Sequence, residues 1–165
     1  MFLLKKRIAS VFFVLVIALL SCVTAVAAEQ SEIDALRGTT LYVYNWGEYI
    51  SDGADDTLDV NAAFEDKYGI DVVYETYDNN EVMYSKLKGG GVSYDVVIPS
   101  DYMIQRMIAE DMLQPIDFSN VPNYKYIPEK YKNLAHDPEN LYSVPYTVGM
   151  VGLIYNTAMV EEAPV

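Results

Sequence analysis

Cysteine and histidine are nearly absent from this 165-residue sequence, with one of each, Cys22 and His136. A single cysteine excludes an intramolecular disulfide, so any domain built from the chain must hold together by core burial. His136 lies in the loop-like stretch Asn133–Asn140, beside Asp137-Pro138, with no second His or Cys to complete a metal set. It reads as a loop residue. There is no Gly-x-Ser-x-Gly elbow, no Gly-Lys-Ser/Thr phosphate loop and no dinucleotide fingerprint. Gly89-Gly90-Gly91 follows a helical segment instead of opening one, so it acts as a terminator. The adjacent carboxylates Asp55/Asp56 and Glu65/Asp66 fall on polar faces where solvation explains them. No catalytic residue, cofactor or metal is expected, and an enzyme is a minor alternative.

Basic residues are also scarce: 11 Lys and Arg stand against 24 Asp and Glu, a net charge of −13. Three of the basic residues, Lys5, Lys6 and Arg7, precede the uncharged run Ile8–Leu20, which ends in small residues. That is a secretory layout, and residues 1–28 are expected to be a signal peptide. Two cleavage readings compete. Leu19-Leu20-Ser21-Cys22 resembles a lipobox with Cys22 as the lipid acceptor, and Ala25-Val26-Ala27-Ala28 offers ordinary cleavage before Glu29. An uncleaved anchor is a third reading, since a span needs about 20 apolar residues. Without the three basic residues the charge is −16, because no acid precedes Cys22. Such a surface repels nucleic acid and anionic lipid and attracts cationic solutes, although solubility alone explains it equally well.

After a polar lead over residues 29–39, apolar runs and turn signals alternate. Leu41–Tyr44 is β-prone and stops at Asn45-Trp46-Gly47, and Val60, Phe64 and Tyr68 have helical spacing closed by Gly69. Ile70–Tyr77 reads as a second strand. Asn79–Lys88 reads as a helix with Val82, Met83 and Leu87 on one stripe. Tyr94–Ile98 reads as a third strand, and Tyr102–Ala109 as a helix with Met103, Ile104, Met107 and Ile108 inward. Strand and helix in alternation predict an α/β fold with a parallel-rich sheet and flanking helices. Met112–Ile116 reads as a short edge element, and Phe118–Glu139 as loop with one helical turn. Tyr142–Tyr146 and Gly149–Asn156 read as extended, and the ending at Ala163-Pro164-Val165 suggests truncation.

Ligands of an open parallel sheet bind beyond the carboxyl ends of its strands. There the sequence places Asn45, Trp46, Gly47, Glu48 and Tyr49 after the first strand, Asp78, Asn79 and Asn80 after the second, and Pro99, Ser100, Asp101 and Tyr102 after the third. The edge is aromatic and acidic together. An alkylammonium ligand needs ring faces for its methylenes and its charge, and carboxylates or hydroxyls to accept its N–H donors. Trp46, Tyr49 and Tyr102 are candidate rings; Glu48, Asp101 and Ser100 are candidate acceptors. A bland reading fits the same spacing: Trp46 and Tyr49 pack a turn, and Ser100 or Asp101 caps the following helix.

Four ordered blocks carry a family resemblance: Leu41–Ile50 (LYVYNWGEYI), Gly69–Glu81 (GIDVVYETYDNNE), Tyr94–Ser100 (YDVVIPS) and Tyr142–Tyr146 (YSVPY). Together they resemble the spermidine/putrescine-binding proteins of bacterial ABC importers, from about Thr40 to the end of the chain. The resemblance implies the first lobe of a two-lobe periplasmic-binding-protein-like fold, with residues 40–148 as the N-terminal α/β lobe. Residues 149–165 would begin the crossing into a second lobe that is largely missing. It further implies a non-catalytic role in capturing spermidine or putrescine for an ABC permease, in the periplasm or at the outer face of the cytoplasmic membrane. Contact with a membrane would come only through a lipid on Cys22. By the same resemblance Trp46, Glu48, Tyr49, Ser100 and Tyr102 face the ligand. Some members have a hydroxyl residue at the place of Gly47, which leaves length preference among polyamines open. Alternatives are a binding protein for another small solute, or a truncated remnant that binds nothing.

Overall fold

The computed structural model describes residues 30, 31 and 33–160. The signal segment with Cys22, and residues 161–165, lie outside the described residues. The chain divides into two compact units, one ending at Val97 and the other beginning at Ile98.

The first unit is built on a three-stranded, all-parallel sheet of order β2-β1-β3. β1 (Thr40–Trp46) pairs with β2 (Asp71–Tyr77) along its whole length, from Thr40 opposite Asp71 to Trp46 opposite Tyr77. β3 (Val96–Val97) is much shorter and meets only Val43 and Tyr44. Parallel neighbours require crossover connections, and two helices supply them: α1 (Val60–Tyr68) and α2 (Asn80–Lys88). Each helix starts where a short polar side chain can take an orphan amide. Asp59 Oδ1 accepts from Ala62 N and Asn79 Oδ1 from Val82 N, both at 2.9 Å. Such a cap stabilises a helix by about 1 kcal/mol. α1 ends at Gly69, whose φ of 66° is left-handed, and a Cβ there would also sit 2.9 Å from the Arg37 guanidinium.

Tyr44, Tyr77, Met83 and Tyr84 form the buried apolar centre of this unit, joined by the buried amides Asn45 and Asn80. The α2 stripe is therefore Met83, Tyr84 and Leu87. Val82, expected on it, is 55% exposed. The helix is rotated so that the large ring of Tyr84 takes the inward position, a better use of apolar area than a valine.

The second unit contains α3 (Asp101–Ala109), with Met103 and Met107 buried as expected, followed by three short 3-10 turns at Phe118–Asn120, Pro122–Tyr126 and Glu129–Tyr131. Met112–Ile116 is not an edge strand. Met112 N donates back to Met107 O to close α3, and Ile116 N makes a single bond to Leu141 O. Neither Tyr142–Tyr146 nor Gly149–Asn156 joins a strand ladder among the described residues. What organises residues 133–143 is a buried carboxylate. Asp137 accepts from Leu141 N, Tyr142 N, Ser143 N and Ser143 Oγ at 2.8–3.0 Å. Burial pushes its pKa up and is the largest single influence, but the backbone and hydroxyl donors together outweigh it and hold the carboxyl below its usual range. Asn140 completes the knot, accepting from Asn133 N and donating to Ser143 O.

Candidate functional site

The carboxyl end of β1 is where aromatic rings accumulate. Residues alternate across a strand, so Tyr44 and Trp46 share one side, and the register brings Glu75 and Tyr77 of β2 opposite them. A continuous line of rings results. Tyr94 stacks on Tyr44 with centroids 4.6 Å apart, Tyr44 meets Tyr77 edge-on at 4.9 Å, Tyr77 meets Trp46 at 4.8 Å, and Trp46 meets Tyr49 at 5.9 Å. Of the candidate ligand residues in this unit, Trp46 and Tyr49 are thus brought together. Glu48 sits between them in sequence, exposed in the turn, and Tyr49 keeps 41% of its surface open. The turn-packing reading and the ligand-facing reading are compatible here, since the two rings touch each other and still present surface.

Ser100 and Tyr102 belong to the second unit, at the start of α3. Ser100 occupies the N-cap position and is half-buried, yet its side chain makes no capping hydrogen bond; its backbone carbonyl accepts from Met103 N and Ile104 N. The capping explanation for the Ser100 hydroxyl therefore fails. Asp101 does act at the helix start, where its carboxylate accepts from Tyr102 N at 2.7 Å. Tyr102 is 52% exposed. After β2, Asn79 is the α2 cap and Asn80 is buried, so those two serve the fold.

Sequence reasoning missed two features. One is Tyr77, the floor under Trp46, which was read only as a strand end; its pairing with Trp46 depends on inter-strand register. The other is a resident ammonium. Lys86 Nζ bonds Glu75 Oε2 at 2.5 Å and lies 4.7 Å from the Tyr44 ring centroid and 5.3 Å from that of Tyr94, whose hydroxyl also donates to Glu75 Oε2 at 2.6 Å. Lys86 first and Tyr94 second hold the Glu75 carboxyl below its usual range, and Glu75 in turn raises the Lys86 ammonium well above its own. Burial, then Glu75, pushes the Tyr94 phenol up. The first unit therefore already solves the problem of an alkylammonium, with one carboxylate and two tyrosine faces around it.

Residues 60–165 match the family model described as bacterial extracellular solute-binding protein, and the chain belongs to that family. The putrescine-binding periplasmic protein PotF of Escherichia coli is 39% identical over 150 residues, which is 87% of this chain and 37% of that protein. The spermidine/putrescine-binding periplasmic protein of Salmonella typhimurium is 38% identical over 138 residues, 83% of this chain and 38% of that one. Among solved structures, the spermidine/putrescine substrate-binding protein PotD of Streptococcus pneumoniae superposes with a TM-score of 0.69 at 43% identity, over 77% of this chain and 38% of its own. The TpPotD lipoprotein of Treponema pallidum gives a TM-score of 0.58 at 38% identity, over 66% of this chain and 32% of its own. The chain thus spans well under half the length of these relatives. Its parallel α/β architecture is the one they share over the matched part.

Proposed function

We propose that this chain contributes one wall of a polyamine site in an extracytoplasmic solute-binding protein that delivers spermidine or putrescine to an ABC permease, without catalysis. The observation that carries the reading is the Trp46–Tyr49 ring pair beside the exposed Glu48 carboxylate, at the carboxyl end of β1. Rings accept the methylene chain and attract the ammonium, each well-placed face contributing about 0.5–2 kcal/mol, and a carboxylate takes up the N–H donors. In the second unit, Ser100 and Tyr102 separately offer a hydroxyl and a ring of the same chemistry. The names of the relatives support the ligand class. We assign residues 40–148 to the first lobe and residues 149–165 to the start of the crossing.

Location follows from the same reading: the protein works in the periplasm or at the outer face of the cytoplasmic membrane. Lipidation of Cys22 would hold it there, and the Treponema relative's being a lipoprotein supports that assignment. Thermal shift of the full-length gene product against a panel of diamines, triamines, sugars and amino acids tests the ligand class. Stabilisation by diamines and triamines alone, lost on Glu48→Gln, is the expected result; stabilisation by a sugar or an amino acid instead would place the protein with another solute.

A further inference from the structure

Trp46 stands where β1 loses one of its two neighbours, and this sets a local problem in hydrogen bonding. Tyr42 exchanges with Asp95 on the β3 side: its carbonyl accepts from Asp95 N at 2.9 Å and its amide donates to Asp95 Oδ2 at 2.8 Å. Backbone groups of alternate residues point the same way along a strand, so the Trp46 amide also aims toward the β3 side. β3 pairs with β1 only at Val43 and Tyr44. The Trp46 N–H therefore lies past the end of that ladder, and Asn45 takes it up. Asn45 Oδ1 accepts from Trp46 N at 2.8 Å, and Asn45 Nδ2 donates to the Tyr74 hydroxyl of β2 at 2.8 Å. Asn45 is only 3% exposed, which shields its end of these bonds from water.

We propose that Asn45 is a positioning residue for the ligand site: its amide, clamped by Tyr74, stands in for the missing strand and fixes the backbone from which the Trp46 ring projects. The ring is then held against Tyr77 at 4.8 Å and beside Tyr49, while Asn45 itself touches no ligand. An amide fits this position because it offers one acceptor and one donor at the same time. A carboxylate keeps the acceptor and loses the donor toward Tyr74; an aliphatic isostere loses both and leaves the Trp46 N–H unpaired. The inference rests on the reading of Trp46 as a ligand-facing ring.

Trp46 is the only tryptophan among these 165 residues, so acrylamide quenching of the 165-residue chain reports on this ring alone and needs no ligand. Asn45→Leu should raise the quenching constant roughly twofold, by freeing a group whose backbone bond is lost, at a temperature well below its melting point. Asn45→Asp should stay near the parent, and Tyr74→Phe should move the same way as Asn45→Leu by less. If Asn45→Leu does not fold, Asn45→Ser takes its place. A purely structural role for Asn45 would lower the melting temperature and leave quenching of the native state unchanged in the Leu or Ser variant and in Tyr74→Phe; that result overturns the proposal. Failure of the ligand reading shows separately, as spermidine affinity unchanged by Trp46→Ala.

Discussion

The two units of this chain solve the same problem by different means. Up to Val97 the strands are held by a parallel ladder, and side chains take up strand amides that the ladder leaves over: Asp95 at Tyr42, Asn45 at Trp46 and Glu65 at Val72 N. Past α3 the described residues form no ladder; short backbone turns carry the chain as far as residue 132, and side chains then organise residues 133–143, with Asp137 alone collecting three consecutive amides and a hydroxyl. A ladder distributes its stability over many equivalent bonds, whereas a loop tied to one carboxylate concentrates it in a single titratable group. The first unit should therefore tolerate single side-chain losses that the second does not.

The sharpest way to break that comparison is to remove Asp137. Asp137→Ala removes the common acceptor of three backbone donors and the Ser143 hydroxyl in a part-buried place, and hydrogen bonds to a charged group are worth about 1.5–3 kcal/mol. We expect the second unit to lose roughly 3 kcal/mol, read as faster hydrogen exchange at Leu141, Tyr142 and Ser143 with the amides of β1 unaffected. Acid should act in the same place. The Asp137 pKa is depressed in the folded chain, so its contribution is complete above the ordinary aspartate value near 3.8 and is lost as pH falls through the folded value below it. Protection of those three amides should be flat above about pH 5 and collapse below about pH 4. Asp137→Asn should abolish the step, and an unchanged step in that variant would assign it to another carboxyl.

How far the sequence anticipated this molecule depends on whether the signal was local. The stop at Gly69 and the inward pair Met103 and Met107 were legible because each depends on neighbours within one or two helical turns, whereas the caps Asp59 and Asn79 emerged only with the structure. The alternation of strands and helices carried the parallel α/β architecture for the same reason. What could not be read was long-range or competitive. β3 is two residues long although five look β-prone, since an apolar run does not state how much of it finds a partner. Tyr84 displaced Val82 from the α2 stripe because both satisfy helical periodicity and only packing chooses between them. Of the candidate site, Trp46 and Tyr49 were visible as types at a strand end, while Tyr77 and the Asn45–Tyr74 clamp needed the register. The Asp137 knot was invisible: Pro138 and Asn140 mark a turn there, but which carboxylate closes it is a matter of three-dimensional closure.

A second test changes the site and leaves the ladder alone. Trp46→Ala removes one ring and leaves the β1–β2 register intact, so the first unit should melt almost as before. Affinity of the full-length gene product for spermidine should fall about tenfold, the equivalent of one strong cation–π face. Calorimetry at matched ionic strength measures it. A large drop in melting temperature with unchanged affinity would mean that Trp46 belongs to the core and not to the ligand.

The smallest effect is expected at Lys86, and it bears directly on the comparison. Lys86 and Glu75 are both well exposed, so water screens their pair and its loss should hardly move the melting temperature. This is the opposite of Asp137, although both involve a carboxylate with several partners. The difference is the acceptor and the number of its partners: the Lys86 ammonium returns to water from an exposed pair, whereas Asp137 is itself buried and its loss releases three consecutive amides and a hydroxyl at once from a part-buried place. Local chemistry should still respond. Lys86→Met removes the main influence depressing Glu75, so the carboxyl titration followed by carbon NMR should shift toward the ordinary glutamate value, with Tyr94 retaining part of the depression through its hydroxyl. Adding Tyr94→Phe should complete the return. If Lys86→Met alone destabilised the first unit as strongly as Asp137→Ala does the second, the ladder would not be what holds β1 and β2 in place, and the contrast between the two units would fall.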